Sequence, residues 1–213
     1  VSPTDLVIVA SRAVLQKCKI SAGEIDQLIA ANIGQSSYDA YFLPRHISLF
    51  TGLPVEIPAL MVQRICGSGF ETLITGAEQI TLGKANSVLC TGTENMSLSP
   101  LVSFGNRMGF TLGRPAFKDM LWEALDDTAA GYPMGFTAEN VAQRYQITRQ
   151  ECDAYALSSY NRAIAAREKN YFEEEITPVN SSVFEAEGLK PRKFRLPGGI
   201  IDFARDEQVR ESS

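Results

Sequence analysis

Cys66 is the residue whose type and setting point most directly to covalent chemistry. It stands in Cys66-Gly67-Ser68-Gly69, just after a short apolar run from Ile57 to Gln63. Beyond it Phe70, Leu73, Ile74, Ala77 and Ile80 recur at helical spacing. A thiol at such a junction meets the unpaired N–H groups and partial positive charge of a first helical turn, which favour the thiolate. Gly67 and Gly69 leave the sulfur and the backbone N–H beside it unscreened, so the turn offers a nucleophile and an oxyanion donor together. The same spacing admits a second reading, Cys66 as a small buried hydrophobe in a packed turn, and does not choose between them.

The elements that must position this turn are legible around it. Ile57 to Gln63 reads as a strand, the periodic segment as a helix stopping near Gly83, and Ser87 to Thr91 as a second buried strand. Upstream, Ser2-Pro3-Thr4-Asp5 opens a helix that runs to about Lys17, with serine as cap and proline at the first helical position. Ser21-Ala22-Gly23-Glu24 is a capping box, Leu28 to Ile33 a strand, Asn32 to Asp39 a polar loop, and Ala40 to Phe50 a helix with Pro44 near its start. Helices and strands in alternation predict an α/β fold, a parallel or mixed sheet with helices packed on it.

Downstream the pattern loosens. Ser99 to Lys118 carries glycines, prolines and three phenylalanines without a period and reads as a long loop. Met120 to Asp127 reads as a short helix and Thr137 as the cap of another. Thr148-Arg149-Gln150-Glu151 is a capping box opening a helix to about Lys169. Ile176 to Val183 reads as a strand, and the polar sequence beyond Phe184 as a strap over the surface.

VQRICGSGFETLITGAEQI resembles the segment around the acyl-accepting cysteine of the thiolases, and CTGTENMSLSP resembles the Gly-x-Glu-x-Met-Ser block that follows it in that family. GYPMGFTAE and ITRQECDAYALSSYN extend the resemblance further along the chain. It implies a thiolase-like α/β fold, incomplete here: a core over residues 1–97 whose first strand would precede Val1, and part of an inserted loop domain over 98–213. It also implies acyl transfer through a thioester on Cys66, with coenzyme A and acyl-CoA as substrates and no permanently bound cofactor, in a homodimer or tetramer. The family lines its coenzyme A pocket at positions matched by Leu125, by Met134 in the turn Tyr132 to Gly135, and by Arg210. Pro133 stands where many members have histidine. The family's general base and second cysteine belong to Gly-His-Pro and Cys-x-Gly-Gly motifs, neither of which these residues contain. The expectation is therefore a chain that by itself turns over no substrate.

Composition narrows the alternatives. With 213 residues, 45% hydrophobic and 21% charged, the chain can form one globular domain or somewhat more. A formal net charge of -5 supplies no basic footprint for nucleic acid, and the apolar runs are too short to span a membrane. Four scattered cysteines, Cys18, Cys66, Cys90 and Cys152, with a single histidine, argue against zinc and against a disulfide framework. Cys18, Cys90 and Cys152 are expected to be packing residues, and His46 is expected to have no part in the chemistry. Val1-Ser2-Pro3 shows neither start methionine nor leader, so a targeting peptide is expected to be removed or never present, which leaves the cytosol or a mitochondrial or peroxisomal matrix open. A non-catalytic assembly fragment and a ketoacyl-synthase-like condensing enzyme are the competing readings. Gly67-x-Gly69 lacks the third glycine of a dinucleotide fingerprint.

Overall fold

The structure is a computed structural model that describes residues 1–110 and 112–210. Its elements are α1 (Pro3–Cys18), β1 (Gln27–Ala31), α2 (Leu43–Thr51), β2 (Ala59–Val62), α3 (Ser68–Thr81), β3 (Val88–Gly92), β4 (Leu101–Val102), β5 (Lys118–Asp119), α4 (Met120–Glu123), β6 (Asp126–Asp127), β7 (Tyr132–Pro133), α5 (Met134–Tyr145), α6 (Arg149–Glu168), β8 (Val179–Asn180), β9 (Ser182–Phe184) and β10 (Arg192–Phe194). They fall into two compact units, Val1–Leu121 with Val179–Asp202, and Trp122–Pro178 with Phe203–Ser213. This division by compactness is drawn elsewhere than a cut at residue 98, because a late segment returns to the first unit.

The first unit holds a parallel sheet in the order β2-β1-β3. Because the chain steps from β1 to β2 and then back across β1 to β3, right-handed crossovers require α2 and α3 on opposite faces. The side chains follow that rule. Leu28, Ala30 and Leu89 face a core shared with Val7 and Leu15 of α1 and Leu43 and Ile47 of α2. On the opposite face Val88 and Cys90 meet α3. The helix ends match their signals: the Ser2 side chain accepts the Asp5 N–H with Pro3 in the first turn, and α2 stops at Gly52, whose φ of 94° suits glycine.

Several expectations need correction or refinement. The stripe Phe70, Leu73, Ile74 and Ile80 does not pack on the sheet. Those side chains are exposed, Phe70 by 75% and Leu73 by 59%, and α3 instead buries Ser68, Thr72 and Gly76. The contact is too close for large residues: a Cβ on Gly76 would lie 2.8 Å from the Cys90 sulfur. Next, the polar sequence beyond Phe184 lies mostly on the surface, as expected of a strap, but it is pinned to the core. β9 and β10 form an antiparallel hairpin that places Phe184 and Phe194 in a buried cluster with Ile8 and Phe50. Strands of three residues are too short to show a period, and Arg192, the first residue of β10, reads as surface. Finally, Cys18 and Cys152 are exposed and Cys90 is half-buried, so only the last is a packing residue.

Within the second unit β6 and β7 form a two-residue ladder, Asp126 opposite Pro133 and Asp127 opposite Tyr132. α5 starts at Met134 with Pro133 as its cap, four residues before the expected cap Thr137, since a proline offers no capping side chain to read from sequence. α6 opens with the expected capping box, Thr148 and Glu151 bonding each other's backbone N–H at 2.8 and 3.2 Å.

Candidate functional site

The register of the sheet sets the geometry of the site. Val62, Ala31 and Gly92, the last residues of β2, β1 and β3, lie in one row across the three strands. The segments that follow them therefore emerge side by side at the carboxyl edge, where open α/β sheets place their ligands. These are Gln63–Gly67 with Cys66, the loop from Asn32, and Thr93–Ser97.

The first of these is a strained elbow. Ile65, directly before Cys66, adopts φ 44°, a left-handed conformation that a β-branched residue takes up only under constraint. The constraint is visible. Ser68, the first residue of α3, is fully buried, and its hydroxyl donates to the Ile65 carbonyl at 2.6 Å while accepting the Arg64 N–H at 2.7 Å. Backbone bonds close the turn, from Gly67 N–H to the Arg64 carbonyl at 3.0 Å and from Ser68 N–H to the Ile65 carbonyl at 3.1 Å. With those two N–H groups engaged, the donor left beside the sulfur is the N–H of Cys66 itself.

Cys66 is exposed, which rules out the buried-hydrophobe reading. A Cβ added to Gly69 would touch nothing within 4 Å, so the approach on that side is open. On the other side Arg64 pairs with Glu71 at 3.0 Å, and a Cβ on Gly67 would lie 3.3 Å from the Arg64 carbonyl. Cys90 contrasts with Cys66: its thiol donates to the Thr72 carbonyl at 3.2 Å, and burial pushes its pKa up, away from thiolate chemistry.

Glu94, in the Gly-x-Glu-x-Met-Ser block, ties the other two segments together. One carboxylate oxygen accepts the N–H groups of Ile33 at 3.0 Å and Gly34 at 2.7 Å. The other accepts the side-chain amide of the fully buried Asn32 at 3.0 Å and the Asn95 N–H at 3.2 Å. Sequence reasoning gave Glu94 no role. Its only signal was its place in a recognised block, because four donors converge on it from backbone and amide groups that carry no pattern.

His46 lies apart from the elbow. Its Nδ1 is 3.3 Å from both Asp39 and Arg192, and its ring stacks on Phe42 and meets Phe50 edge-on. Arg192 also bonds Asp5 at 3.0 Å and Asp39 at 2.6 Å, so the network fastens the β9–β10 hairpin to α1 and to the loop before α2. This is a structural clasp, and its signal in sequence was a single unassigned arginine.

Of the expected coenzyme A contacts, Leu125 and Met134 are brought together. They flank the β6–β7 ladder, the Met134 N–H donates to the Leu125 carbonyl at 2.9 Å, and both side chains are more than 40% exposed. Arg210 is exposed. All three belong to the second unit and Cys66 to the first. A cavity of about 770 Å³ in the second unit, lined in part by Ala163, Arg167, Phe172 and Val209, includes none of the three. Among the described residues no cluster of three or more His, Cys, Asp or Glu is arranged to hold a metal ion, and no helix is long and apolar enough to cross a membrane.

Comparison with known proteins gives one consistent answer. A family model described as "Thiolase, N-terminal domain" matches residues 1–193. The chain is 45% identical over 214 aligned positions to a mitochondrial 3-ketoacyl-CoA thiolase of Mus musculus, covering 99% of this chain and 51% of that protein. It is 39% identical to an acetyl-CoA acetyltransferase of Pseudomonas aeruginosa, covering 93% and 48%. Among solved structures, human mitochondrial 3-ketoacyl-CoA thiolase in complex with CoA superimposes with a TM-score of 0.80 at 43% identity, over 84% of this chain and 45% of that one. The acetyl-CoA acetyltransferase of Bacillus anthracis gives 0.83 at 30% identity, over 99% and 50%. The chain thus spans about half the length of the curated relatives it matches.

Proposed function

We propose that this chain, which belongs to the thiolase family, accepts an acyl group on Cys66 and passes it to coenzyme A or to an acetyl-CoA carbanion. In the degradative direction the Cys66 thiolate adds to the keto carbon of a 3-ketoacyl-CoA. The oxyanion that forms accepts a hydrogen bond from the Cys66 N–H, and collapse breaks the carbon–carbon bond, leaving an acyl thioester on Cys66 and a carbanion that takes up a proton as acetyl-CoA. A coenzyme A thiolate then attacks the thioester and restores the Cys66 thiolate. The synthetic direction runs the same steps in reverse from two acetyl-CoA molecules.

One observation carries this reading: an exposed thiol held on a strained strand-to-helix elbow, with an open glycine face and its own N–H beside it. Leu125 and Met134 form the apolar wall for the pantetheine arm, and Arg210 supplies a cation for the phosphates. Residues 1–97 act as the core and 98–213 as the loop domain, in a homodimer or tetramer, in the cytosol or in a mitochondrial or peroxisomal matrix.

The chain has one histidine, His46, occupied in the clasp, so the base that serves repeated turnover is not among its described groups at the elbow. Incubated with acetyl-CoA, the 213-residue chain is expected to gain one acetyl group, mapped to Cys66 by peptide mass, and to show no steady-state thiolysis of acetoacetyl-CoA. A Cys66→Ala chain gains nothing. Acetylation elsewhere, or turnover that survives Cys66→Ala, would refute the proposal.

A second reading, an assembly fragment without chemistry, is favoured by the uncovered stripe of α3. Sedimentation with a full-length thiolase separates the two: mixed dimers from a chain whose Cys66 resists acetylation would favour it.

A further inference from the structure

We infer that Glu94 is a positioning residue for the Cys66 elbow, acting through the loop after β1. The inference rests on the acyl-transfer reading and deepens it.

Three observations lead there. The ends of β1, β2 and β3 are level, so the loop at Asn32–Gly34 emerges between the elbow and the segment that carries Glu94. Glu94 ties that middle loop at three points, accepting the Ile33 and Gly34 N–H groups on one oxygen and the Asn32 amide on the other. The same amide reaches the Thr93 carbonyl at 2.9 Å, and the Thr93 N–H returns to the Ala31 carbonyl at 3.0 Å, so loop and strand end are cross-bonded twice more. On the other side of the middle loop the Ile33 carbonyl accepts a long hydrogen bond, 3.5 Å, from Nε2 of Gln63, the first residue of the elbow. Gln63 directly precedes Arg64, whose carbonyl holds the Gly67 N–H and whose N–H is held by Ser68. The path from carboxylate to elbow is one loop and one side chain long.

Only a carboxylate can do this. Each oxygen faces two donors, and a carboxylate accepts at both while offering none. A glutamine would turn one of those acceptors into an NH₂ facing two N–H donors, so Glu94→Gln keeps the size of the side chain and frees half of the anchorage. An aspartate lacks the methylene needed to reach both groups. An elbow that is free to shift still exposes its sulfur. It no longer keeps the Cys66 N–H where an oxyanion forms, and that placement is what acyl transfer needs and simple alkylation does not.

The test compares two reactions of the same sulfur on the 213-residue chain. S-phenyl thioacetate acylates through a tetrahedral oxyanion and expels thiophenolate. Iodoacetamide alkylates by direct displacement of iodide, with no oxyanion. Glu94→Gln is expected to slow acylation of Cys66 about tenfold, a part of the loss seen when an oxyanion donor is removed outright, with alkylation within about twofold of the parent. The pH midpoint of both reactions stays where it was. Gln63→Ala, a surface change, is expected to slow acylation in the same direction, and the double variant to lose less than the product of the two single losses, as residues on one path do.

Equal acylation rates in Glu94→Gln and parent overturn the inference. So does a parallel fall in both reactions, which marks a general loss of structure, or a displaced midpoint at an unchanged plateau, which marks a field effect of the charge. Strictly multiplicative losses in the double variant overturn the route through Gln63. If the parent is alkylated at Cys66 but never acylated, acyl transfer itself is refuted and the role of Glu94 in it falls with it.

Discussion

The two faces of the small parallel sheet are covered in opposite ways. On one, α1 and α2 bring Val7, Leu15, Leu43 and Ile47 onto Leu28, Ala30 and Leu89, and the contact is made of large apolar side chains. On the other, α3 comes down on Ser68, Thr72 and Gly76 and turns its leucine, isoleucines and phenylalanine outward. The first face is a core in the ordinary sense. The second is a seat: small residues let the backbone of α3 approach the sheet closely, fix where the helix begins, and so fix Cys66 just ahead of it. Apolar bulk stabilises the first arrangement, and the second depends on its absence.

The contrast is sharpest where a charge replaces bulk. Arg192 lies between Asp5 and Asp39 with all three side chains about nine-tenths buried, and its removal leaves two carboxylates in a poorly solvated place. Arg192→Met is expected to destabilise the chain by about 3–5 kcal/mol, the usual cost of breaking a buried pair from one side. Chemical denaturation checks it. The pH dependence carries the same signature. Burial pushes Asp39 up, but hydrogen bonds from Ser37 and Arg192 and the Arg192 charge outweigh it, and the group sits below the ordinary carboxylate range. Its stabilisation is therefore complete above the unfolded value of about pH 4 and is lost as pH falls through the lower folded value. The parent should lose stability across that window more steeply than Arg192→Met.

On the α3 face the informative change is Gly76→Ala. Alanine favours a helix interior by about 1 kcal/mol over glycine, so by local preference the variant should be the more stable one. The added methyl would sit 2.8 Å from the Cys90 sulfur and 3.4 Å from Val88, and overpacking of this kind costs about 1–3 kcal/mol. The net expectation is a loss of about 1 kcal/mol by thermal or chemical denaturation, together with slower acylation of Cys66 as the start of α3 shifts. A stabilised variant with unchanged acylation would erase the distinction between the two faces.

These cases explain what sequence made legible. Ser2, Ser21 and Thr148 announced their helices because a cap is a local bond between neighbouring residues. The order of strands and helices, and Cys66 between β2 and α3, followed from periodicity and from resemblance. The direction in which α3 faces did not, because an apolar stripe tells that a helix has two unlike sides and leaves open what meets each. Phe184, Phe194 and Arg192 escaped for another reason: their partners Ile8, Phe50, Asp5 and Asp39 lie more than a hundred residues away. Glu94 escaped likewise, three of its four donors standing about sixty residues upstream.

The smallest effect separates the faces most cleanly. Leu73 is 59% exposed on α3, so in the chain by itself Leu73→Ser should alter stability by no more than about 0.5 kcal/mol, as at other uncovered surface positions. Ile47 is apolar, helical and of similar size, but it is wholly buried on α2, and Ile47→Ala should cost about 2–5 kcal/mol. Measured side by side by urea denaturation, the two variants ask whether apolar periodicity on a helix of this chain marks core or marks surface. If Leu73→Ser cost as much as Ile47→Ala, the stripe on α3 would already be covered within these residues, by self-association or by a different seating of the helix. Its exposure would then no longer support the view that α3 is seated on the sheet through Ser68, Thr72 and Gly76. A near-silent Leu73→Ser would instead leave those three small residues as the buried contact that aims Cys66.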